Sequence, residues 1–174
     1  MAKLTCNFLS YTLHRAVDIT VIVPSICFPE MMAPNPSHAK AEKYPVLYLL
    51  HGYGNNHATW NGYTSVELYA EERNIAVVML SAENKSYINH GGDDNYFDFI
   101  SHELPEFVQS MFPVSSRPQD TYIAGLSMGG SEYPIDELKV AGVDLTKPDT
   151  VLSAMKVFED SIDELAQIID EVTE

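Results

Sequence analysis

The chain is 174 residues long, 45% hydrophobic and 20% charged. That composition excludes disorder and fits one domain, or one domain with an appendage. Its net charge of −15 and pI of about 4.6 exclude nucleic acid and anionic membrane as partners, because both carry the same sign of charge. The longest apolar run, residues 75–80, falls far short of the roughly 18 residues of a membrane span. The opening MAKLTCNFLSYTLHR shows no apolar segment of a secretory signal. Two cysteines, Cys6 and Cys27, are too few for a disulfide framework, so the expected location is cytoplasmic.

Taken in chain order, the first element is a strand. Val17, Ile19, Val21 and Val23 alternate with Asp18, Thr20 and Ile22 and stop at Pro24. Leu4, Cys6 and Phe8 suggest a partner strand before it, joined through His14, Arg15 and Ala16, which makes an antiparallel hairpin at one sheet edge. Four prolines between residues 24 and 44 indicate an irregular loop. Val46–Leu50 is a continuous apolar strand ending in the turn His51-Gly52-Tyr53-Gly54. Thr64 with Glu67 forms a capping-box pattern, predicting a helix to about Arg73. Residues 75–80 form a second apolar strand. Phe97, Ile100, Leu104, Val108 and Met111 have helical spacing, with a kink expected at Pro105. Thr121–Ala124 is a third short strand running into Gly125. Continuous apolar strands alternating with helices predict an α/β fold with a parallel sheet covered on both faces.

Beyond residue 130 the composition changes. Residues 1–130 carry a net charge of −6, and the last 44 residues carry −9. Pro134 suits the first turn of a helix that Gly142 would cap, and Pro148 opens a longer one. On that longer helix Val151, Met155, Phe158, Ile162, Leu165 and Ile169 form a heptad-like stripe. The stripe can pack on its own sheet or on its counterpart in a second subunit, and the two are compatible. The domain boundary is therefore drawn at 130/131, with an acidic helical tail over 131–174.

Gly125-Leu126-Ser127-Met128-Gly129 matches G-x-S-x-G directly after a predicted strand. A sharp strand-to-helix turn holds such a serine in a strained backbone conformation, and side chains two positions either side would collide. The turn lifts the hydroxyl above the C-terminal edge of the sheet and aims the Met128 N–H at a developing oxyanion. Residues 1–130 resemble the esterase family of α/β-hydrolases, the group of tributyrin esterases, S-formylglutathione hydrolases and feruloyl or acetylxylan esterases. The segments that carry the resemblance are KYPVLYLLHGYGNNHATW, IAVVML, YFDFISHELPEFVQSMFP and DTYIAGLSMGG. It implies a mixed sheet of about five strands with flanking helices, carboxylester substrates, Ser127 as nucleophile, and oxyanion donors from the backbone of Tyr53 and Met128. No metal or organic cofactor follows from it.

The family's triad runs Ser, Asp, His along the chain. Here 47 residues follow Ser127 and none is histidine, so the fold is expected to be truncated after the nucleophile turn. From Gly129 to about Glu171 the chain resembles the C-terminus of oligoendopeptidase F-type zinc metallopeptidases, which makes it a chimera. The His-Glu-x-x-His zinc motif is missing: His102-Glu103 is followed by Leu-Pro-Glu. Among the six histidines, His90 is the candidate base, with Asp93 or Asp94 to orient it; it follows the strand at 75–80, on the edge where Ser127 sits. His51 and His57 are assigned to holding the turn after Leu50, and His102 to a helix surface. The expected function is a serine carboxylesterase, weak for want of the downstream Asp and His, acting on short-chain or activated esters through an acyl-enzyme. The alternative is an inactive oligomeric chimera that keeps only the fold. Thr121–Ala124, left at a sheet edge, predicts a homo-oligomer, a dimer in the simplest case.

Overall fold

The computed structural model describes residues 1–36 and 41–130, together with the backbone of 139–140 and 143–144. Strands β1 (Ala2–Ser10) and β2 (Arg15–Val23) pair antiparallel from Ala2 opposite Val23 to Ser10 opposite Arg15. The turn joining them is Tyr11–His14, so Arg15 and Ala16 lie inside β2 and not in the connection expected there. His14 takes a positive φ of 48° to close it. β2 also pairs antiparallel with β4 (Ala76–Leu80), which runs parallel to β3 (Val46–Leu50); β3 in turn runs parallel to β5 (Thr121–Gly125). The sheet order is β1-β2-β4-β3-β5. This is the truncated α/β-hydrolase arrangement expected, a mixed five-stranded sheet with flanking helices.

Both faces of the central strands are buried because side chains alternate across the sheet. Val46, Tyr48, Ala76, Val78 and Leu80 face a core that includes Phe99, Leu104 and Val108. Leu49, Val77 and Met79 face Trp60, Val66 and Ala70. All five residues of β4 are buried, which is why that strand reads as an unbroken apolar run.

Among its described residues the loop between 24 and 44 forms a short helix, α1 (Phe28–Met31). Helices α2 (Thr59–Tyr63) and α3 (Val66–Glu72) cover one face of the sheet. The Thr64–Glu67 capping box does not form. Thr64 Oγ1 accepts from the Val66 N–H at 3.3 Å, and Glu67 instead meets Lys3 Nζ at 3.1 Å. The Lys3 ammonium, brought across from β1, outcompetes a backbone N–H for the carboxylate.

The opposite face carries α4 (Tyr96–Asp98), a π-helical turn over Phe99–Glu103, and α5 (Leu104–Met111). The kink expected at Pro105 is a widened turn placed just ahead of it. Proline lacks an N–H and its ring crowds the carbonyl four residues back, and a π-turn relieves both. The extra residue shifts the phase of the apolar stripe. Tyr96, Phe99, Ile100, Leu104 and Val108 are buried, and Met111 is exposed.

The same turn aims Glu103 inward. Its buried carboxylate accepts from Ser10 Oγ at 2.7 Å, the Tyr11 N–H at 2.8 Å and the Thr12 N–H at 2.9 Å. Beyond residue 130 the helix expected from Pro134 to Gly142 does not include Lys139–Val140, which are extended. Lys139–Val140 (β6) and Val143–Asp144 (β7) pair antiparallel. The stripe from Val151 to Ile169 lies outside the described residues.

Removing the Glu103 carboxylate strands three donors under the hairpin turn. Glu103→Ala is expected to lower the unfolding free energy by roughly 3 kcal/mol, measured by urea denaturation, with Glu103→Gln intermediate. A Glu103→Ala value within about 0.5 kcal/mol of the parent chain, the range of an ordinary surface change, would contradict this role.

Candidate active site

In this sheet β3 has β4 on one side and β5 on the other. The chain leaves β3 in one direction and returns on the other side, and the crevice at the carboxyl ends of the two strands is where such sheets bind ligands. Leu50 and Gly125 are paired there. The His51–Gly54 turn and the Gly125–Gly129 turn therefore begin side by side. The Leu126 N–H donates to Leu50 O at 3.2 Å and ties them together.

The glycines of the motif are dictated by contact. A Cβ on Gly129 would lie 2.6 Å from Leu50 O and 2.7 Å from Leu50 Cβ. A Cβ on Gly125 would fall inside the van der Waals surface of the Gly129 carbonyl. Between them Ser127 opens a short 3₁₀ turn (Ser127–Gly130) at φ 55°, in the left-handed region that a non-glycine residue occupies only under constraint. Ser127 is exposed, whereas Met128 after it is buried in the core. A Cβ on Gly52 would sit 3.5 Å from Ser127 Cβ. The two turns thus face each other at contact distance, with Tyr53 one residue further along the first.

The turn after β3 is held from behind by His51, which is fully buried. Its Nδ1–H donates to Gly52 O at 2.7 Å, and its Nε2 accepts from the Ala82 N–H at 2.9 Å. Tyr87 Oη–H donates to His51 O at 2.8 Å, and the Gly54 N–H donates to Asn84 Oδ1 at 2.6 Å. His57 is pinned likewise: its N–H donates to Ser81 Oγ at 3.0 Å and its Nδ1 meets Thr20 Oγ1 at 2.8 Å. The His51 ring thus holds the backbone of the turn, and the His57 ring ties the segment after it to β2. Asn84 and Tyr87 carried no periodicity or motif, so nothing in the sequence singled them out; only the loop's return to the end of β3 reveals them.

His90 lies on the same long connection between β4 and α4. Its Nε2–H donates to Lys85 O at 2.9 Å, which leaves Nδ1 as the basic nitrogen. The aspartates expected to orient its ring are engaged elsewhere. Asp93 Oδ1 meets His14 Nδ1 at 2.7 Å. Asp94 takes Arg15 at 3.0 Å and Lys85 at 2.9 Å, and these bonds, Lys85 foremost, hold its carboxyl below the usual range. Arg15 also reaches Tyr96 Oη at 2.8 Å. The tip of the β1–β2 hairpin draws these acids away from His90. His102 is exposed on its helix, its Nδ1 2.7 Å from Ser101 Oγ. Among the described residues no group of three His, Cys, Asp or Glu side chains is arranged to hold a metal ion, and no helix is long and apolar enough to cross a membrane.

Burial lowers the His51 pKa, with the bond to Gly52 O opposing the shift. Between that lowered value and about 6.5 the unfolded chain binds the proton that the native state refuses, so stability falls as pH drops through this window. Urea unfolding at about pH 7.5 and 5.5 is expected to show this loss, and His51→Gln is expected to flatten it; an unchanged slope in the variant would assign the dependence to other groups.

Comparison with known proteins agrees with this geometry. The family model described as "Putative esterase" matches residues 29–132. An acetyl esterase of Caldicellulosiruptor saccharolyticus is 36% identical over 135 residues, which cover 75% of this chain and 48% of that protein. Among solved structures, the substrate-bound fluorophosphonate-binding serine hydrolase F of Staphylococcus aureus superposes with a TM-score of 0.63 at 33% identity, over 74% of this chain and 48% of the other. The apo S-formylglutathione hydrolase of the same organism gives 0.60 at 32%, with the same coverage. This chain thus spans about half the length of these relatives. A separate match, 47% identical over 53 residues, joins 30% of the chain to 8% of the oligopeptidase PepF of Bacillus subtilis, in keeping with a chimera.

Proposed function

From the premise that this chain belongs to the "Putative esterase" family, we propose that it is a serine carboxylesterase acting on short-chain or activated esters through an acyl-enzyme on Ser127. The observation that carries the proposal is the strained, exposed Ser127 at φ 55°, with Gly52 of the neighbouring turn in contact range. In this reading Ser127 Oγ attacks the ester carbonyl carbon. The Tyr53 and Met128 N–H groups donate to the oxygen as it gains negative charge. The alcohol then leaves with a proton, and water attacks the acyl-serine to release the acid and restore the hydroxyl. His90 is the base through Nδ1, or a second subunit supplies one. Activity is weak in this reading, because His90 has neither Asp93 nor Asp94 behind it. The unit that does this is the half esterase domain of residues 1–130, with 131–174 an acidic appendage. The free thiols of Cys6 and Cys27 fit a reducing cytoplasm.

A second reading, an inactive oligomeric chimera, is favoured by one observation, the match of part of the chain to an oligopeptidase. Hydrolysis of p-nitrophenyl acetate by the parent chain and by Ser127→Ala separates the two. The esterase reading expects hydrolysis to fall to background in the variant and a fluorophosphonate to label Ser127 alone. Equal rates, or labelling that persists in Ser127→Ala, would leave the inactive chimera.

The same chain is proposed to be a homodimer. Among the described residues β5 has a strand on one side only, and its Tyr122, Ile123 and Ala124 are half-buried. Unpaired backbone groups on such an edge favour pairing with another chain. Light scattering at about 0.15 M salt, where charge repulsion is screened beyond about 8 Å, is expected to give twice 19.4 kDa. A mass of 19.4 kDa into the high micromolar range would refute the dimer.

A further inference from the structure

We propose that Asn84 is a positioning residue for the oxyanion site, fixing the direction of the Tyr53 N–H through the backbone of its neighbour; this rests on the esterase reading of Ser127. Asn84 Oδ1 accepts the Gly54 N–H at 2.6 Å. Gly54 has a φ of 82°, so the backbone turns sharply after Tyr53. Fixing the Gly54 N–H fixes the plane of the peptide that follows Tyr53. From the other side, the Asn55 N–H donates to Gly52 O at 3.3 Å. The Tyr53 N–H itself has no acceptor among the described residues, and it follows Gly52, on which a Cβ would lie 3.5 Å from Ser127 Cβ.

The loop that carries Asn84 is built to hold it there. Glu83, Asn84, Ser86 and Tyr87 have φ of 45°, 62°, 54° and 56°. Left-handed backbone at four of five consecutive residues persists only where the surroundings over-determine it. Three bonds do so: Tyr87 Oη–H to His51 O, the Ala82 N–H to His51 Nε2, and the Lys85 N–H to Ala82 O at 2.8 Å. Asparagine tolerates this conformation better than most side chains and also supplies the acceptor. The loop thus stores strain and spends it on one hydrogen bond to the oxyanion turn.

Two substitutions separate the acceptor from the backbone shape. Asn84→Gly keeps the left-handed conformation and removes the acceptor; Asn84→Asp keeps an acceptor at the same place. The readouts are the pre-steady-state burst of p-nitrophenol from p-nitrophenyl acetate, KM, the rate of fluorophosphonate labelling at Ser127, and hydrogen exchange of the Gly54 amide. Asn84→Gly is expected to slow acylation and labelling about tenfold, less than the loss of a whole oxyanion donor, with KM unchanged and Gly54 exchange accelerated. Asn84→Asp is expected to stay within about twofold of the parent chain, well short of that donor-loss scale. Acylation by Asn84→Gly at the parent rate, in a chain whose Ser127 does react, would overturn the positioning role alone. A parent chain that gives neither burst nor label would overturn the esterase reading and this role with it.

Discussion

The close approach of two strand ends is the constraint on which the rest of this structure depends. Leu50 and Gly125 are paired across β3 and β5, and Gly125, Gly129 and Leu50 pack so tightly that none of the glycines can carry a Cβ. Two turns consequently leave the sheet at one point. One places the exposed Ser127 in a left-handed conformation, and the other brings Gly52 so near that a Cβ on it would lie 3.5 Å from Ser127 Cβ. Nothing in either turn alone would bring them together. The parallel pairing of β3 and β5 does so, and the helices of both faces serve that pairing by burying every residue of β4 behind it.

Around this point, polar groups replace apolar packing. His51 is a buried neutral imidazole used as a two-ended clamp, donating to one backbone and accepting from another. Burial favours the neutral form, which is the form that accepts from Ala82. The structural requirement and the electrostatic one therefore agree. Such a histidine has its lone pair committed and is no candidate for proton transfer. His57 is tied through Nδ1 alone, to Thr20 Oγ1. Unlike His51, His90 keeps one ring nitrogen, Nδ1, outside the hydrogen bonds among the described residues.

Charge is distributed with the same economy on the far side of the sheet. Glu103 lies on a π-turn and reaches back some ninety residues along the chain to close the β1–β2 hairpin, through bonds to Ser10, Tyr11 and Thr12. The tip of that hairpin then engages the connection between β4 and α4 through His14 and Arg15. Asp93 and Asp94 are drawn into that contact, so the antiparallel edge of the sheet sets how the connection after β4 lies. A strong pair with Lys85 and Arg15 holds Asp94 ionised, which makes it a fastener and leaves His90 without a carboxylate.

By itself the sequence determined the α/β class, the positions of all five strands and the turn at Ser127. Those signals are local: apolar runs of buried strands, alternation in the hairpin, and glycines spaced two residues from a serine. It also determined that the last 44 residues differ in charge from the rest. The tertiary structure alone decided what long-range partners impose. Thr64 and Glu67 spell a capping box, but Lys3 arrives from β1 and takes the carboxylate. Phe97 and Met111 fit a helical stripe, but a π-turn ahead of Pro105 rotates it toward Tyr96 and Phe99. Asp93 and Asp94 stand close to His90 in the chain yet pair with a hairpin tip nearly eighty residues away. Asn84 and Tyr87 meet the turn after β3 only because β3 and β4 lie side by side. Periodicity reports the face a residue presents to its own neighbours in sequence; which acceptor a donor finds across the fold depends on the competition among all groups brought to the same place, and that competition exists only once the chain has folded.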